Sequence, residues 1–310
     1  MIILNLQHPP PLISWGTPHS SQSKNRVIAF TTPQNYASRL SDLIHLKGWT
    51  PLWCPTVIVE PTPQTISSIR SHISPNPNPL LEDFSAIAFT SRTGISAFSE
   101  ALSSIETYPL TPTGEILVIS ALGKDLELLD ESFISRICEN PERIRVVAPR
   151  IATPTGLVEA LGDGEGKKKV LCPVPLVVGL EEPPVVPAFL KDLAKKGWVP
   201  VRVNAYETRW GGAACAAEVV RRSGEECGID AMVFSSTGEV EGLLKSLKEY
   251  GLDWETVRRM CPGLVVAAHG PVTASGAERL GVGIDVVSSR FDSFDGVVHA
   301  LAHQWECLDS

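Results

Sequence analysis

The sequence predicts an α/β fold of two similar domains, each a parallel sheet flanked by helices, the two joined by a two-stranded connector. Short apolar strand signals alternate with helical periodicities along most of the chain, the pattern of parallel sheets covered on both faces. Three ordered signals also occur twice. Lys47-Gly48-Trp49-Thr50-Pro51 returns as Lys196-Gly197-Trp198-Val199-Pro200, and Ala88-Phe89-Thr90-Ser91 running into Thr93-Gly94 returns as Val233-Phe234-Ser235-Ser236-Thr237-Gly238. Val146-Val147-Ala148-Pro149-Arg150, with Thr153, Gly156, Val158, Ala160 and Leu161 behind it, is echoed at the same spacing by Val286, Val287, Arg290, Ser293, Gly296, Val298, Ala300 and Leu301. The copies lie too far apart for a solenoid, whose repeat is roughly 20–50 residues, and suit duplicated domains facing each other across a cleft.

The folded part begins with a strand at 26–30, an apolar run bounded by polar residues. A helix follows at 36–46, where Ala37, Leu40, Leu43, Ile44 and Leu46 recur at helical spacing and Gly48 marks the stop. The β-branched segment 52–59 and its counterpart 199–206 each lie between a helix and the next set of strands, so they read as two chain crossings. Between them come a helix at 66–73, a loop at 74–79, a strand at 86–89, a helix at 94–102, a strand at 116–122, a helix starting at 125–129 and a strand at 145–148. A helix at 155–161, the glycine loop 162–166, a strand at 169–172 and a helix at 186–195 complete that half. After the second crossing, strands at 231–234, 264–268 and 285–287 alternate with helices at 239–249, 272–280 and 294–304. Residues 26–53 with 208–310 then form a discontinuous domain, 63–198 an inserted one, and 54–62 with 199–207 the connector strands.

At 310 residues the chain has room for two domains with cores of their own. Hydrophobic residues at 43% and charged residues at 20% exclude a disordered or membrane-embedded chain, and a net charge of −8 argues against nonspecific nucleic-acid binding. Any anionic ligand therefore depends on local fields. The seven cysteines are scattered without a Cys-x-x-Cys pair, which points to free thiols in a reducing compartment and away from zinc. No apolar run reaches the roughly 18 residues of a membrane span. A soluble intracellular protein is expected. The stretch 1–25 is a flexible tail; free of acidic residues and holding Ser14, Ser20, Ser21 and Ser23, it also weakly resembles an organelle transit peptide, which leaves cytoplasm and plastid both open.

In open parallel sheets the ligand crevice lies beyond the carboxyl ends of the strands, where helix amino termini converge with unpaired N–H groups. Thr90, Ser91, Thr93 and Gly94 occupy that place in one half, and Ser235, Ser236, Thr237 and Gly238 in the other. They serve either as helix caps or as an anion-binding cleft; their repetition favours the cleft. A third such turn is Ala268-His269-Gly270-Pro271-Val272-Thr273, in which His269 is either an acid–base group or a structural histidine. Gly162-x-Gly164-x-Gly166 precedes a strand and is flanked by acidic residues, so it is not a dinucleotide loop, and there is no Walker lysine, His-Glu-x-x-His or Gly-x-Ser-x-Gly. Tyr206 closes the second crossing. It either donates a proton or hydrogen bond into the cleft or packs at a hinge.

Taken together, the Phe-Thr-Ser-x-x-Gly and Phe-Ser-Ser-x-Gly turns, Gly270-Pro271-Val272-Thr273-Ala274, the closing segment from Val286 to Leu301, and Val203-x-x-Tyr206 after Lys196-Gly197-Trp198 resemble the uroporphyrinogen-III synthase family over 27–301. The resemblance implies a lyase of tetrapyrrole formation, on the route to haem and chlorophyll, with its site between two α/β domains. It cyclises hydroxymethylbilane with inversion of ring D and loss of water. No metal or organic cofactor is implied, because the substrate supplies the reactivity while the protein folds a flexible polycarboxylate. A monomer is expected, with a linear tetrapyrrole as its ligand and neither nucleic acid nor membrane as partner. Tyr206 matches the family tyrosine that helps the hydroxyl leave, and Thr273 the threonine of the Gly-Pro-x-Thr turn; Arg150 and Arg290 are candidate partners for substrate carboxylates. Four positions depart from the family pattern: Val272 for a frequent threonine, His269 for an apolar residue, Leu126 for a first-half threonine, and Cys172-Pro173-Val174-Pro175 for a polar turn. They keep open a non-catalytic member that binds a tetrapyrrole or other polyanion, and a two-lobed small-molecule binder.

Overall fold

The computed structural model describes residues 25–74, 80–166, 168–224, 228–290 and 293–308. Residues 1–24 of the expected tail at 1–25 and residues 75–79 of the expected loop at 74–79 lie outside that set. The chain opens with β1 (Val27–Phe30), α1 (Gln34–Leu46) and β2 (Thr50–Trp53), then crosses in β3 (Val57–Glu60). There follow α2 (Pro63–Ile73), β4 (Phe84–Phe89), α3 (Arg92–Ser103), β5 (Leu117–Ala121), α4 (Glu131–Ile137), β6 (Ile144–Val147), α5 (Pro154–Leu161), β7 (Lys169–Val178) and α6 (Val185–Lys195). Strand β8 (Val199–Trp210) crosses back to α7 (Ala217–Gly224), β9 (Ala231–Phe234), α8 (Thr237–Glu249), α9 (Trp254–Met260), β10 (Val265–Ala268), α10 (Pro271–Arg279), β11 (Val286–Val287) and α11 (Asp295–Leu308).

One sheet is ordered β11-β10-β9-β1-β2 and is parallel throughout. The other is ordered β3-β8-β7-β4-β5-β6 and is parallel except at its edge, where β3 runs antiparallel to β8. Without β3 the two orders correspond strand for strand, β9 to β4 and β1 to β7, which is the duplication the repeated signals predicted. The pleat assigns alternate residues to opposite cores. Ile28 and Phe30 pack with α1 and α11 while Ala29 faces the α7–α8–α9 side; Ile87 and Phe89 pack against α3 while Ala86 and Ala88 face α5 and α6. Both sheets are therefore covered on both faces.

The repeated signals have physical reasons. Gly48 and Gly197 take φ of 73° and 84° just past the ends of α1 and α6, a left-handed conformation that favours glycine. The chain then turns inward so that Trp49 packs edge-on against Trp305 at 4.9 Å, and Trp198 donates its Nε1–H to the Gly162 carbonyl at 2.9 Å. A Cβ at Gly156 would strike the Ile151 carbonyl, and one at Gly296 would strike the Arg290 carbonyl. The same tight approach of helix start to preceding turn recurs in each domain.

Some expectations need correction. The extended segment 52–59 breaks at Cys54-Pro55-Thr56 into β2 and β3. The helix expected to start at 125–129 is a 3-10 turn, Gly123–Leu128, ahead of α4, and the helices α4, α7 and α9 were not foreseen. The strand expected at 169–172 continues to Val178, so Cys172-Pro173-Val174-Pro175 is strand and not turn. The connector pairs Val57 with Trp210 through Glu60 with Glu207, and the far half of β7 lies along the other side of β8 as a third strand. Cys54, Cys138, Cys172, Cys215 and Cys307 are free thiols, but Cys261 is disulfide-bonded, against the expectation of thiols throughout. Among the described residues no helix is long and apolar enough to cross a membrane.

Candidate active site

The carboxyl ends of β1, β4, β9 and β10 open onto one cavity of about 440 Å³, floored by Val57 and Val59 of β3 and Tyr206 and Thr208 of β8. Thr90, Ser91 and Thr93 line it from one domain; Tyr36, Ser235, Ser236, Gly238, His269 and Phe294 line it from the other. Pro175, Val177, Val186 and Phe189 make much of the remaining wall. Among the described residues lining it there is no lysine or arginine, and the charged ones are Glu181 and Glu239. The domains touch across its rim. Asn35 Nδ2 donates to Thr93 Oγ1 at 3.1 Å on one side, while on the other the Glu181 N–H donates to Glu241 Oε2 at 2.8 Å and the Lys245 ammonium to the Gly179 carbonyl.

Tyr206 owes its position to the prolines of β7. Along the β7–β8 ladder Val174 pairs with Asn204 but Pro175 pairs with Tyr206, so Ala205 is an extra residue on β8. Pro173 and Pro175 have no N–H to give the ladder, and a bulge re-aims the side chains beside it. Ala205 and Tyr206 are accordingly both buried, where strict alternation would expose one of them. The phenol meets Ser91, whose Oγ donates to Tyr206 Oη at 2.8 Å and accepts the Gly94 N–H at 3.1 Å. With the serine as donor, the phenol keeps its own hydrogen for a group in the cleft. Burial pushes its pKa up to about 12, the Ser91 hydrogen bond acting the other way and the charges of Tyr36 and Asp125 adding to the rise. Tyr206 is thus a neutral donor at any ordinary pH.

The Ser235-Ser236 turn is wired differently. Ser236 caps α8 by accepting the Glu239 N–H at 3.3 Å, and the Glu239 carboxylate folds back over the turn. It accepts the Ser235 N–H and the Thr31 hydroxyl on Oε2, each at 2.8 Å, and the hydroxyls of Ser235 and Ser236 on Oε1. Burial raises the Glu239 pKa, while the bonds from Ser235, Thr31 and Ser236 oppose the rise. The donors expected to meet a ligand are thereby engaged by an internal carboxyl.

The other expected residues divide sharply. Gly94 lies beneath the cleft, where a Cβ would press on the Pro173 carbonyl at 3.2 Å. Thr237 packs against Gly276, and Thr273 donates to the Ser235 carbonyl at 3.0 Å, so the turn beginning at Gly270 buttresses the second turn from behind. Arg150 and Arg290 are exposed and do not line the cavity; Pro154 and Phe294, the fourth residue beyond each, do. Val272 is exposed, and Leu126 packs at the margin of the core under β4 and β5. His269 lines the cavity with its ring 4.9 Å from that of Phe294. Tyr36, Glu239 and Phe294 were missed. Glu239 had a signal in Ser236-x-x-Glu239, a capping-box spacing; Tyr36 and Phe294 had only apolar periodicity.

The model of the family described as uroporphyrinogen-III synthase HemD matches residues 38–297. No curated protein matches the chain significantly in sequence. Among solved structures, a mutant uroporphyrinogen III synthase from Thermus thermophilus superposes with a TM-score of 0.54 at 17% identity, covering 92% of this chain and 99% of that one. The wild-type Thermus thermophilus enzyme in another crystal form aligns at 16% identity and a TM-score of 0.42, over 92% of this chain and 100% of that one.

Proposed function

The chain belongs to the uroporphyrinogen-III synthase family and is a lyase of tetrapyrrole formation, and we propose that it closes hydroxymethylbilane in the cleft with Tyr206 assisting departure of the hydroxyl. The observation that carries this assignment is the Ser91-to-Tyr206 hydrogen bond, which leaves a neutral phenol lining a cavity with largely apolar walls. The C–O bond of ring A breaks with its electron pair moving to oxygen, a proton from the phenol turns the departing group into water, and the pyrrole N–H returns a proton to the phenolate. The azafulvene so formed is attacked by the substituted carbon of ring D, and the resulting spirocycle rearranges to the type III macrocycle. The apolar walls suit pyrrole rings and exclude water, which strengthens each remaining polar contact.

Substrate carboxylates meet, in this reading, the amides of Arg92 and Thr93, which the first turn of a helix leaves without intrahelical acceptors. Those not held there extend to the mouth, toward solvent and exposed basic groups such as Arg150 and Arg290. Thr90 joins the first turn in binding. Ser235, Ser236, Thr237, Gly238, His269, Gly270 and Thr273 shape the opposite wall. We assign 26–53 with 208–310 to the discontinuous domain, 63–198 to the inserted one and 54–62 with 199–207 to the connector, and a monomer in cytoplasm or plastid without nucleic-acid partner, in keeping with the net charge of −8. A non-catalytic polyanion binder is not favoured, since the family whose model matches is that of a synthase. Incubation with freshly generated hydroxymethylbilane is expected to yield the type III isomer, and only type I would reject the activity. Tyr206→Phe should slow turnover about 10²-fold, the lower range for a positioned acid, with the fold intact.

A further inference from the structure

Tyr36 is a second phenol in the same cavity, and it comes from the opposite domain. It stands in the first turn of α1, its ring edge-on to Phe294 at 6.4 Å and 78°. The residue before it, Asn35, donates Nδ2 to Thr93 Oγ1 at 3.1 Å, and Tyr36, Thr93 and Tyr206 line the one cavity. Thr93 and Ser91 belong to one helix start, and Ser91 holds Tyr206 at 2.8 Å. Both phenols therefore face one cavity beside a single turn, and the charge of Tyr36 acts on Tyr206. Burial and the nearby Asp125 carboxylate raise the Tyr36 pKa, so this phenol too is a neutral donor.

A leaving hydroxyl has two lone pairs on its oxygen, and one donor satisfies only one of them. We propose that Tyr36 is a further catalytic residue, donating a hydrogen bond to the departing ring A hydroxyl from the side opposite Tyr206. The proposal rests on the synthase reading given above. Tyr206 transfers the proton while Tyr36 keeps its own, so the atom balance of water loss is unchanged. Because Tyr36 stands on α1 while Ser91, which holds Tyr206, caps α3 in the other domain, the pair assembles only when the cleft is shut. Dehydration is thereby confined to a substrate already sealed from bulk water.

The experiment compares wild type and Tyr36→Phe with hydroxymethylbilane, and with a bilane bearing methyl in place of hydroxymethyl as a competitive inhibitor. Loss of one donor to a developing charge should lower kcat about tenfold, roughly the worth of one charge-assisted hydrogen bond, while the inhibition constant of the methyl analogue stays within about twofold of wild type, since it offers no oxygen to the phenol. Asn35→Ala supplies the control: it weakens the contact with Thr93 but keeps the phenol. An unchanged kcat in Tyr36→Phe would overturn the proposal. So would a fall in analogue affinity that matches the fall in kcat and is reproduced by Asn35→Ala, which would make Tyr36 a clasp between domains. If wild type itself makes no type III isomer, the underlying synthase reading fails, an outcome distinct from an active wild type indifferent to Tyr36.

Discussion

The two turns that the sequence presents as copies, Thr90-Ser91-Arg92-Thr93-Gly94 and Ser235-Ser236-Thr237-Gly238-Glu239, share a backbone and differ in what they do with their donors. Each follows a strand ending in Phe, and each has a serine capping the next helix by accepting the N–H three residues on. In the first, that third residue is Gly94, and the capping serine is free to pass its hydrogen to Tyr206. In the second it is Glu239, whose carboxylate gathers the Ser235 amide and the hydroxyls of Ser235, Ser236 and Thr31. The residue three beyond the capping serine separates a turn whose serine passes its hydrogen to Tyr206 from one satisfied within itself. Duplication supplied the frame, and the third helical position decided its use.

Substitutions can break this contrast, and the largest effect is expected at Glu239. Glu239→Ala removes a fully buried acceptor and leaves an amide and hydroxyls unpartnered, so it should cost roughly 3 kcal/mol or more of unfolding free energy; denaturant unfolding measures it, and a neutral result would mean the carboxyl does not organise the turn. Next comes the alkaline limb of stability. The folded pKa of Tyr206 is raised from 10.0 to about 12, so the stability it brings is complete below pH 10 and lost as pH climbs through the folded value. Wild type should then lose up to about 3 kcal/mol relative to Tyr206→Phe between those limits, at about 1.4 kcal/mol per pKa unit, and parallel curves would refute the burial of this phenol.

Ser91→Ala should be milder in stability, costing about 1 kcal/mol as a lost helix cap, yet it should slow type III formation several-fold because Tyr206 loses its donor; Ser236→Ala should cost similar stability with no comparable loss of turnover. The smallest effects come from the glycines. Gly238→Ala meets nothing within 4 Å and should be neutral or stabilising by about 0.5 kcal/mol. Gly94→Ala presses the Pro173 carbonyl at 3.2 Å and Ser91 Oγ at 3.3 Å, and it should disturb turnover more than stability. Equal behaviour of the two glycine variants would erase the distinction between the turns.

Much of the architecture was legible because its signals are local. Glycines just past helix ends, tryptophans beside them and the glycines at 156 and 296 obey backbone sterics that act within a few residues. What escaped depends on partners remote in sequence. Pro173 and Pro175 read as punctuation, yet β8 tolerates them by bulging at Ala205, and that bulge sets the aim of Tyr206. Arg150 and Arg290 stand at matching places because the tight turn behind them repeats, and both lie outside the cavity lining. Thr273 drew notice as a ligand contact, and its hydroxyl donates to the Ser235 carbonyl, a partner 38 residues away that no local pattern announces. Tyr36 stood only at the start of a predicted helix, since its place in the cavity depends on elements remote in sequence.

The interrupted sheet has a consequence for how the protein is made on the ribosome. Val27 donates to the Asp230 carboxylate across a separation of 203 residues, and β1 needs β9 as its neighbour. Until β9 emerges, the first βαβ segment waits as an unfinished edge while β4 to β8, contiguous in the chain, are free to settle. Translation therefore imposes an order: the inner body forms first, and the outer one closes only when its distant half arrives.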